Sequence, residues 1–357
     1  MSVTQDAVNV GLVGFGPAGR VFHAPVIGAV PGLRLSAIVQ RTGDDAARAY
    51  PDVTVVRSLN DLLDLADVTL VVVATPTLSH ADLARRCLEA GRDVVIDKPF
   101  AATSAEAAPL VDLAERTGRL LSVFHNRRWD GDFLTVQRLL GRGACGRPLL
   151  FEAHFDRYRP RRNPDAWRER PQPGSGILFD LGSHLVDQAV TLFGLPDAVT
   201  ADVRRERDGA VADDGFDVTL HYPRMRALLR SSMLACDNGL RMVLRGTEGT
   251  YVKHGLDPQE ERLARGETPV GPDWGREAPE HWGQLTLATN DGLLRERVET
   301  EAGDYRRYYE NVRDGVQGNA ALAVTAHQAL DVIRLLELAL ESSRLGRTVA
   351  WPGPGRA

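Results

Sequence analysis

The sequence predicts an α/β protein: an N-terminal Rossmann dinucleotide-binding domain plus a C-terminal α+β domain with a large, mostly antiparallel open sheet. Three observations support this fold class. The 357 residues exceed the usual size of one compact domain. A glycine-rich turn follows the first apolar run, and short β-branched runs then alternate with helical patterns. Beyond about residue 126, longer strands and hairpin turns replace that alternation. We therefore predict domains at 1–125 and 126–357, and the final helix is free to pack back on the first domain.

The first strand, predicted at Val8–Val13, leads directly into the pattern G-x-G-x-x-G. Gly14 permits a tight turn, Gly16 lets the backbone approach a pyrophosphate, and Gly19 lets the next helix pack closely on the sheet. The helix then presents unpaired N–H groups to phosphates. Glycine turns occur in other α/β proteins as well, but the strand that ends at Gly14 favours a nucleotide site. The predicted cofactor-binding residues of this turn are Gly14, Phe15, Gly16, Ala18 and Gly19.

The remaining elements follow from β-branched runs, caps and turns. Ser58 and Thr103 are typical helix N-caps, and Gly91 and Gly118 suit helix C-termini. Asn290-Asp291-Gly292 predicts a hairpin turn. The other predicted strands are Leu33–Val39, Thr54–Val56, Val68–Ala74, Val94–Ile96, Leu120–Phe124, Leu149–Phe155, Ala198–Arg204, Phe216–Tyr222, Ala227–Ala235, Leu240–Leu244 and Thr250–Lys253, and a final helix is predicted at about Thr325–Leu345.

The residues after the second predicted strand bear on the choice of nucleotide. A carboxylate there would bind the ribose 2′-hydroxyl of NAD, whereas an arginine suits the 2′-phosphate of NADP. This strand is followed by Gln40 and Arg41, and guanidinium pairs well with phosphate. Asp44 and Asp45 come slightly later, in a position typical of a helix start. We therefore predict NADP as the cofactor, bound in part by Arg41, with NAD as the alternative.

Composition and charge exclude several function classes. Apolar residues make up 43% and charged residues 25% of the chain, with a net charge of −5, as in ordinary globular proteins. Basic residues are scattered, and the local run at 157–162 is interpreted as a solvated loop or a guard for an anionic cofactor. The most apolar strand is too short to span a bilayer, and no secretory leader is visible. We expect no nucleic-acid partner, no membrane association and a cytoplasmic location.

The cysteines do not indicate a cross-linked or metal-binding protein. Cys87, Cys145 and Cys236 are odd in number and lack metal-ligand spacing. Neither a disulfide framework nor a metal site is predicted, and we expect all three thiols to be buried in apolar surroundings.

Polar residues follow three further strands of the predicted parallel sheet. Because such a sheet opens its ligand crevice at the carboxyl ends of the strands, these residues are expected to line a site. Farther along, Asp180 and His184 are four residues apart and share one face of a helix. Taken singly, each residue also fits a structural role, such as a surface lysine or a core histidine. The segments concerned are Thr75-Pro76-Thr77-Leu78-Ser79-His80, Asp97-Lys98-Pro99, Asn126-Arg127 and Trp167-Arg168.

Taken in order, these motifs resemble the glucose-fructose oxidoreductase / inositol dehydrogenase / rhizopine catabolism (Gfo/Idh/MocA) family. In that family a glycine-rich fingerprint, T-P-x-x-x-H, E-K-P and W-R … D-x-x-x-H recur from the first strand to the final helix. Two segments, 22–25 (Phe-His-Ala-Pro) and 124–130 (Phe-His-Asn-Arg-Arg-Trp-Asp), resemble the branch that contains NADP-dependent scyllo-inositol dehydrogenases. Asp97 stands where glutamate is commoner and keeps the charge. The stretch 173–176 (Pro-Gly-Ser-Gly) stands where the family has a triple glycine.

The resemblance implies that Lys98, Asp180 and His184 form the catalytic set. Oxidation of a secondary alcohol requires removal of the hydroxyl proton, and histidine titrates in the right range. We assign His184 as base in oxidation and acid in reduction, and Asp180 as a ligand of a substrate hydroxyl or an orienter of the imidazole. Lys98 would hydrogen-bond the reacting oxygen, and the reverse assignment, with Lys98 as proton acceptor, stays open. The resemblance also implies that Thr75, Pro76 and His80 lie near the nicotinamide and its ribose. Lys98 and Asn126, which follows the sixth strand, complete the expected cofactor-binding set. The expected substrate-binding set is Lys98, Asn126, Arg127, Arg157, Trp167, Asp180 and His184.

The expected function is NADP-dependent interconversion of a hydroxyl and a ketone on a cyclitol or sugar-like polyol, with scyllo-inositol or a relative as substrate. Two alternatives stay open: an aldose or deoxy-sugar dehydrogenase of the same family, and a non-catalytic NAD(P)-binding sensor or regulator. A sensor has no chemical need for the Lys98, Asp180 and His184 set. The resemblance also implies a homodimer or homotetramer formed through the C-terminal sheet.

Overall fold

The computed structural model describes residues 7–163, 165–237 and 239–353. Within that part, the chain divides into two compact units. The first spans the chain up to Asn126 together with Gln259–Trp274 and Asp304–Leu330, and the second contains Arg127–Pro258, Gly275–Gly303 and the chain from Asp331 onward. The second half of the chain therefore contributes two segments to the first unit.

The helices and strands are numbered in chain order. The helices are α1 Ala24–Gly28, α2 Asp45–Ala49, α3 Leu59–Leu63, α4 His80–Glu89, α5 Ser104–Thr117, α6 Gly131–Gly141, α7 Ser183–Phe193, α8 Gln259–Ala264, α9 Arg306–Val316 and α10 Ala326–Leu345. The strands are β1 Val8–Val13, β2 Leu33–Val39, β3 Thr54–Val56, β4 Leu70–Val73, β5 Asp93–Ile96, β6 Leu121–Val123, β7 Pro148–His154, β8 Ala198–Arg204, β9 Gly215–His221, β10 Arg226–Ser232, β11 Leu240–Gly246, β12 Gly249–His254, β13 Gly283–Thr289, β14 Gly292–Val298 and β15 Val349–Ala350.

The first unit is built on a six-stranded parallel sheet with the order β3-β2-β1-β4-β5-β6. This is the doubly wound Rossmann order, in which the direction of strand succession reverses between β1 and β4. All four residues of β4 are fully buried, as expected for a parallel strand covered on both faces. The predicted Rossmann fold is confirmed, and it places the ends of β1, β4, β5 and β6 along one edge.

Local capping explains where the helices of this unit begin and end. The Ser58 hydroxyl accepts from the Asp61 N–H, and the Asp61 carboxylate accepts from the Ser58 N–H, which completes a capping box. The Thr103 hydroxyl accepts from the N–H of Glu106 at the start of α5. Gly118 ends that helix with φ +62°, a conformation that favours glycine. These caps agree with the sequence predictions.

A late segment of the chain completes the core beside β6. The Tyr308 ring packs edge-on against Phe124, with ring centroids 4.9 Å apart, and its hydroxyl lies 2.9 Å from the Ser122 hydroxyl. The Tyr309 hydroxyl lies 2.6 Å from Nδ1 of the fully buried His23. Both tyrosines belong to α9, so the first unit's core joins residues that are 186 and 286 positions apart in the sequence.

The second unit contains a nine-stranded sheet with the order β14-β13-β12-β11-β7-β10-β9-β8-β15. Strands β7 and β10 pair in parallel, and the other neighbouring strands pair antiparallel. Along β7, Phe151 and Ala153 are buried, whereas Glu152 and His154 point to the opposite, partly exposed face. The predicted mostly antiparallel sheet is confirmed.

Two details of this unit refine the sequence predictions. The Asn290-Asp291-Gly292 turn joins β13 to β14, and Gly292 adopts φ +121°. Strand β10 ends at Ser232 and does not reach Ala235, because the Ser232 hydroxyl bonds Glu206 and accepts the Leu234 N–H. Cys87 and Cys145 are buried, but Cys236 lies beyond this early strand end and is exposed, so the expectation of a buried thiol there is wrong.

None of the helices in the described ranges is both long and apolar enough to cross a membrane. Among those same residues, no group of three or more His, Cys, Asp and Glu side chains is arranged to hold a metal ion.

Candidate active site

The three glycines after β1 differ in their surroundings. Gly14 has φ +103°, and a Cβ there would lie 2.6 Å from the carbonyl oxygen of Ala74 at the end of β4. A Cβ on Gly19 would lie 2.1 Å from the carbonyl oxygen of Gly14. A Cβ on Gly16 would meet nothing within 4 Å, and Gly16 is exposed. Two glycines are therefore required by protein contacts, while the middle one borders open space.

These surroundings fit a bound dinucleotide. A pyrophosphate needs backbone that it can approach closely, and Gly16 offers such backbone on an open side. Gly19 allows the Gly19–His23 turn to begin directly against the strand end. Phe15 is half-buried and packs edge-on against Tyr50, with ring centroids 6.0 Å apart, so this ring contact also helps to hold the glycine turn in place.

The end of β2 carries cations and no strand-end carboxylate. Gln40 is followed by the exposed Arg41, and the Arg57 guanidinium donates to the carbonyls of Gln40 and Gly43 at 2.9 and 2.7 Å. Asp44 and Asp45 both form ion pairs with Arg48 at the start of α2. Sequence reasoning identified Arg41 but missed Arg57, which follows the neighbouring strand β3.

His80 connects the loops after β4 and β5. Its ring is 1% exposed, with Nε2 2.7 Å from the Thr75 carbonyl oxygen and Nδ1 2.9 Å from the Pro99 carbonyl oxygen. Burial lowers the pKa of His80, against the opposing effect of Asp97. The neutral ring donates to one carbonyl at a time. His80 therefore holds together the loops that carry Thr75, Pro76 and Lys98.

Lys98 follows β5 in a charged setting. It is half-buried, and its peptide bond to Pro99 is cis. The preceding carboxylate, Asp97, lies 3.5 Å from Nε2 of His23. Burial opposes ionisation of Asp97, but the neighbouring His23 and Lys98 hold the pKa of this carboxyl below its ordinary value. Asp97 is thus a stable anion beside Lys98, as a glutamate would be in this motif.

In the second unit, Asp180 lies in a turn that precedes α7. Residues Leu178–Gly182 form one π-helical turn, and α7 begins at Ser183, so the helical face predicted for Asp180 and His184 starts in a wider turn. Turns of this kind are frequent at functional sites. The Asp180 carboxylate lies 3.5 Å from the Arg168 guanidinium, which is 6.0 Å from the Trp167 ring. Arg168 therefore links Trp167 and Asp180.

Phe155 brings together three of the residues expected to bind substrate or act in catalysis. Its ring is fully buried, and the guanidinium carbons of Arg127 and Arg157 lie 4.5 and 5.2 Å from its centroid. The His184 imidazole stacks on it at 6.4 Å with an interplanar angle of 26°. Arg241 lies 5.4 Å from the same centroid. Sequence reasoning missed Phe155, although its position at the end of β7 continues the strand's buried alternation.

Buried ion pairs support this cluster. Arg127 pairs with Asp130 at 3.2 Å, and both side chains are buried. Arg128 binds Asp187 of α7 through two hydrogen bonds of 2.9 and 2.6 Å, with side chains only 9% and 2% exposed. Asn126, the last residue of the first unit, is 4% exposed and opens the Asn126–Trp129 turn. The α7 helix that carries His184 is therefore anchored through Asp187.

Two family profiles match the chain. One, described as "Oxidoreductase family, NAD-binding Rossmann fold" and named GFO_IDH_MocA, covers residues 8–125, and its companion, "Oxidoreductase family, C-terminal alpha/beta domain", covers residues 137–351. The oxidoreductase YdgJ of Escherichia coli K12 is 44% identical over 95% of this chain and 97% of its own length. The scyllo-inositol 2-dehydrogenase (NADP+) IolW of Bacillus subtilis 168 is 37% identical over 96% of both chains. The solved structure of YvaA from Bacillus subtilis aligns with a TM-score of 0.94, 37% identity, and coverage of 97% of this chain and 99% of that one.

Proposed function

Because the chain belongs to the Gfo/Idh/MocA oxidoreductase family, we propose that it is an NADP-dependent dehydrogenase that interconverts a secondary hydroxyl and a ketone on a cyclitol or sugar-like polyol. The preferred substrate is scyllo-inositol or a relative. The observation that carries this proposal is the 37% identity, over 96% of both chains, to a relative named as an NADP-dependent scyllo-inositol 2-dehydrogenase. The coarser assignment, an oxidoreductase with an NAD(P)-binding Rossmann domain, rests on the family itself.

The preference for NADP is supported by the charges at the end of β2. Arg41 stands where a carboxylate would bind the 2′-hydroxyl of NAD, and Arg57 is held on the same loop through the carbonyls of Gln40 and Gly43. Since Asp44 and Asp45 share Arg48 as their ion-pair partner, these three side chains together carry one negative charge, against the two positive charges of Arg41 and Arg57. Arg41 and Arg57 are the proposed ligands of the 2′-phosphate, and the glycine turn is the proposed pyrophosphate site.

The proposed chemistry gives each member of the catalytic set its own role. The nicotinamide, when bound, accepts or delivers the hydride. His184 removes the hydroxyl proton during oxidation, and its imidazole stacks on the Phe155 ring. Asp180, held beside Arg168, binds a substrate hydroxyl or orients the imidazole. Lys98 donates a hydrogen bond to the reacting oxygen. Lys98 as proton acceptor remains the alternative.

A substrate and cofactor panel tests the function as a whole. Purified protein is incubated with NADP or NAD and with inositol stereoisomers or aldoses, while the absorbance of the reduced cofactor is followed. We expect reduction of NADP with scyllo-inositol or a close cyclitol. Faster turnover of an aldose would replace the substrate assignment, and tight cofactor binding without hydride transfer to any member of the panel would replace the enzymatic one.

The lysine content of the chain allows a direct test of the Lys98 site. The chain has only two lysines, Lys98 and Lys253. Lys253 is 1% exposed and paired with Glu277, so it serves as an internal control. An amine-specific reagent followed by peptide mass spectrometry should modify Lys98, and saturating NADP should protect it. Modification of Lys98 at the same rate with and without NADP would contradict its place in the cofactor-binding set.

Two variants decide which residue moves the proton. We expect both Lys98→Met and His184→Ala to lower kcat by about 100-fold or more, the usual range for loss of an acid–base group. The variant that lacks the proton acceptor should also lose the wild-type pH dependence of kcat. Near-normal turnover in either variant would remove that residue from the mechanism. The Arg85→Met variant, at an exposed arginine of α4, serves as a matched surface control.

The partly exposed face of the nine-stranded sheet is the proposed oligomer interface. This face carries Glu152, His154 and Asp217 among half-buried residues, and Arg230 pairs with both Glu152 and Asp217. A dimer or tetramer through this face should weaken when a bulky charge is introduced at Leu228, which lies at the centre of the face. Light scattering of the wild type and Leu228→Glu tests it, and a monomeric wild type would refute it.

A further inference from the structure

The turn that carries Asp180 begins against a carboxylate from a distant loop. The Leu178 N–H donates to Oδ2 of Asp213 at 2.8 Å, and the Ile177 N–H donates to the Asp213 carbonyl oxygen at 3.0 Å. The first N–H groups of a helical turn have no partners within the turn. Ile177, the residue at the cap position, provides no side-chain cap. Asp213 therefore satisfies these donors from outside the helix.

Asp213 itself is held in place by the sheet. Its neighbour Asp214 donates its N–H to the Arg204 carbonyl and accepts the Met233 N–H, at 3.0 and 2.9 Å. The Asp214 carboxylate also accepts from Nε of the buried Arg207 at 2.8 Å. The two consecutive aspartates thus have different partners: Asp214 is bonded to the sheet and to Arg207, and Asp213 is bonded to the turn before α7.

The glycine pattern before the turn fits the same contact. Gly176 has φ +84°, and a Cβ there would lie 1.9 Å from Oδ1 of Asp213, so only glycine allows this approach. The residue before it, Ser175, is buried, and its hydroxyl lies 2.7 and 2.6 Å from the carbonyl oxygens of Arg170 and Gln172. Serine is therefore accommodated in the middle of the segment, whereas position 176 requires glycine because of Asp213.

We propose that Asp213 is a positioning residue of the active site, which caps the Leu178–Gly182 turn and thereby sets the positions of Asp180 and His184. This inference rests on the proposed function, because Asp180 and His184 matter only if they act on substrate. Burial raises the pKa of Asp213 to about 6, so near pH 8 its carboxylate is ionised and is a strong acceptor for the Leu178 N–H.

The test compares Asp213→Ala, Asp213→Ser and Asp213→Asn with Asp208→Ala, an exposed aspartate of the preceding loop. The asparagine oxygen can still accept from Leu178. The serine hydroxyl is one bond too short to reach the Leu178 N–H. Serine still places a small polar group at this position, so it replaces the alanine variant if that variant folds poorly. Two quantities are measured at pH 8: kcat and KM for the polyol, and amide hydrogen exchange of a peptide that covers 177–184.

We expect Asp213→Ala and Asp213→Ser to lower kcat at least tenfold and to speed exchange at 177–182 at least tenfold. Asp213→Asn should stay within about threefold of the wild type in both, and Asp208→Ala should match the wild type. Gly176→Ala should lower kcat and speed exchange as Asp213→Ala does, because its methyl group would displace the Asp213 carboxylate. Wild-type exchange and wild-type kcat in Asp213→Ser would overturn the inference, as would faster exchange with unchanged kcat.

Hydrogen exchange keeps this test separate from the proposed function. If the wild type turns over no polyol or sugar, the proposed function fails, and exchange at 177–182 still shows whether Asp213 caps the turn. If the wild type is active and exchange in Asp213→Ser is unchanged, Asp213 fails as a positioning residue while the proposed function stands.

Discussion

Substitution of the individual glycines after β1 should separate cofactor binding from protein stability. A Cβ at Gly19 would lie 2.1 Å from the Gly14 carbonyl oxygen, whereas real Cβ atoms essentially never approach within 3.0 Å. The turn must therefore move by about 0.9 Å, the difference of those two distances. Overpacking of this kind costs about 1–3 kcal/mol, so Gly19→Ala should lower the free energy of unfolding by that amount.

Gly16→Ala should behave in the opposite way. Its Cβ would contact nothing within 4 Å, and its φ lies outside the region that requires glycine. Alanine also restricts the unfolded chain, so the free energy of unfolding should stay the same or rise by up to about 1 kcal/mol. The methyl group would nevertheless occupy the side from which a pyrophosphate approaches. We expect the Kd for NADP to rise at least tenfold, which corresponds to about 1.4 kcal/mol.

The assay combines urea unfolding with titration of NADP by calorimetry. Gly28→Ala is the matched control, because its Cβ also meets nothing within 4 Å but it lies at the end of α1, away from the glycine turn. This control should leave the Kd for NADP unchanged, and, like Gly16→Ala, it should keep the free energy of unfolding the same or raise it by up to about 1 kcal/mol. A Gly16→Ala variant with the wild-type Kd would refute the pyrophosphate site, and a Gly19→Ala variant as stable as the wild type would refute the packing argument.

Three further predictions concern charged residues. Arg128→Met removes the two hydrogen bonds that Arg128 donates to the buried Asp187, and it should lower the free energy of unfolding in urea by about 3–5 kcal/mol. The double variant with Asp187→Leu should recover most of this loss, and a loss below about 1 kcal/mol in the single variant would contradict the prediction. Because burial raises the pKa of Asp213 from 3.8 to about 6, the folded state binds more protons than the unfolded state between these values. The free energy of unfolding should therefore fall as pH rises from 4 to 6. In Asp213→Asn, urea unfolding measured at each pH should show a smaller dependence of this free energy on pH, and an unchanged dependence would show that other groups cause it. Arg41→Ala and Arg57→Ala should raise KM for NADP but leave KM for NAD nearly unchanged in steady-state kinetics, and equal effects on both cofactors would remove these arginines from 2′-phosphate recognition.

Features that depend on neighbouring residues were predictable from the sequence. The capping box at Ser58, the C-terminal glycine at Gly118 and the turn at Gly14 each depend on a few consecutive positions. The Rossmann sheet follows from short apolar runs separated by such signals. The alternation along β7 likewise places Phe151 on the buried face.

Features that depend on distant pairs could not be predicted in this way. The Phe155 ring stacks with His184, and the Tyr309 hydroxyl meets His23 across 286 positions of sequence. Hydrophobic periodicity indicates that a residue is buried but does not identify its partner. The end of β10 at Ser232 depends on Glu206, which belongs to another loop, and for the same reason the exposure of Cys236 was missed.

The return of Asp304–Leu330 to the first unit has a consequence for how this chain is made. During synthesis the nucleotide-binding half cannot finish its core early, since Ser122 and His23 meet their tyrosine partners only after residue 309 has left the ribosome. A fragment cut near residue 126 would leave Phe124 without those rings and should aggregate. Chimeras that exchange this half between relatives should carry the late segment with it.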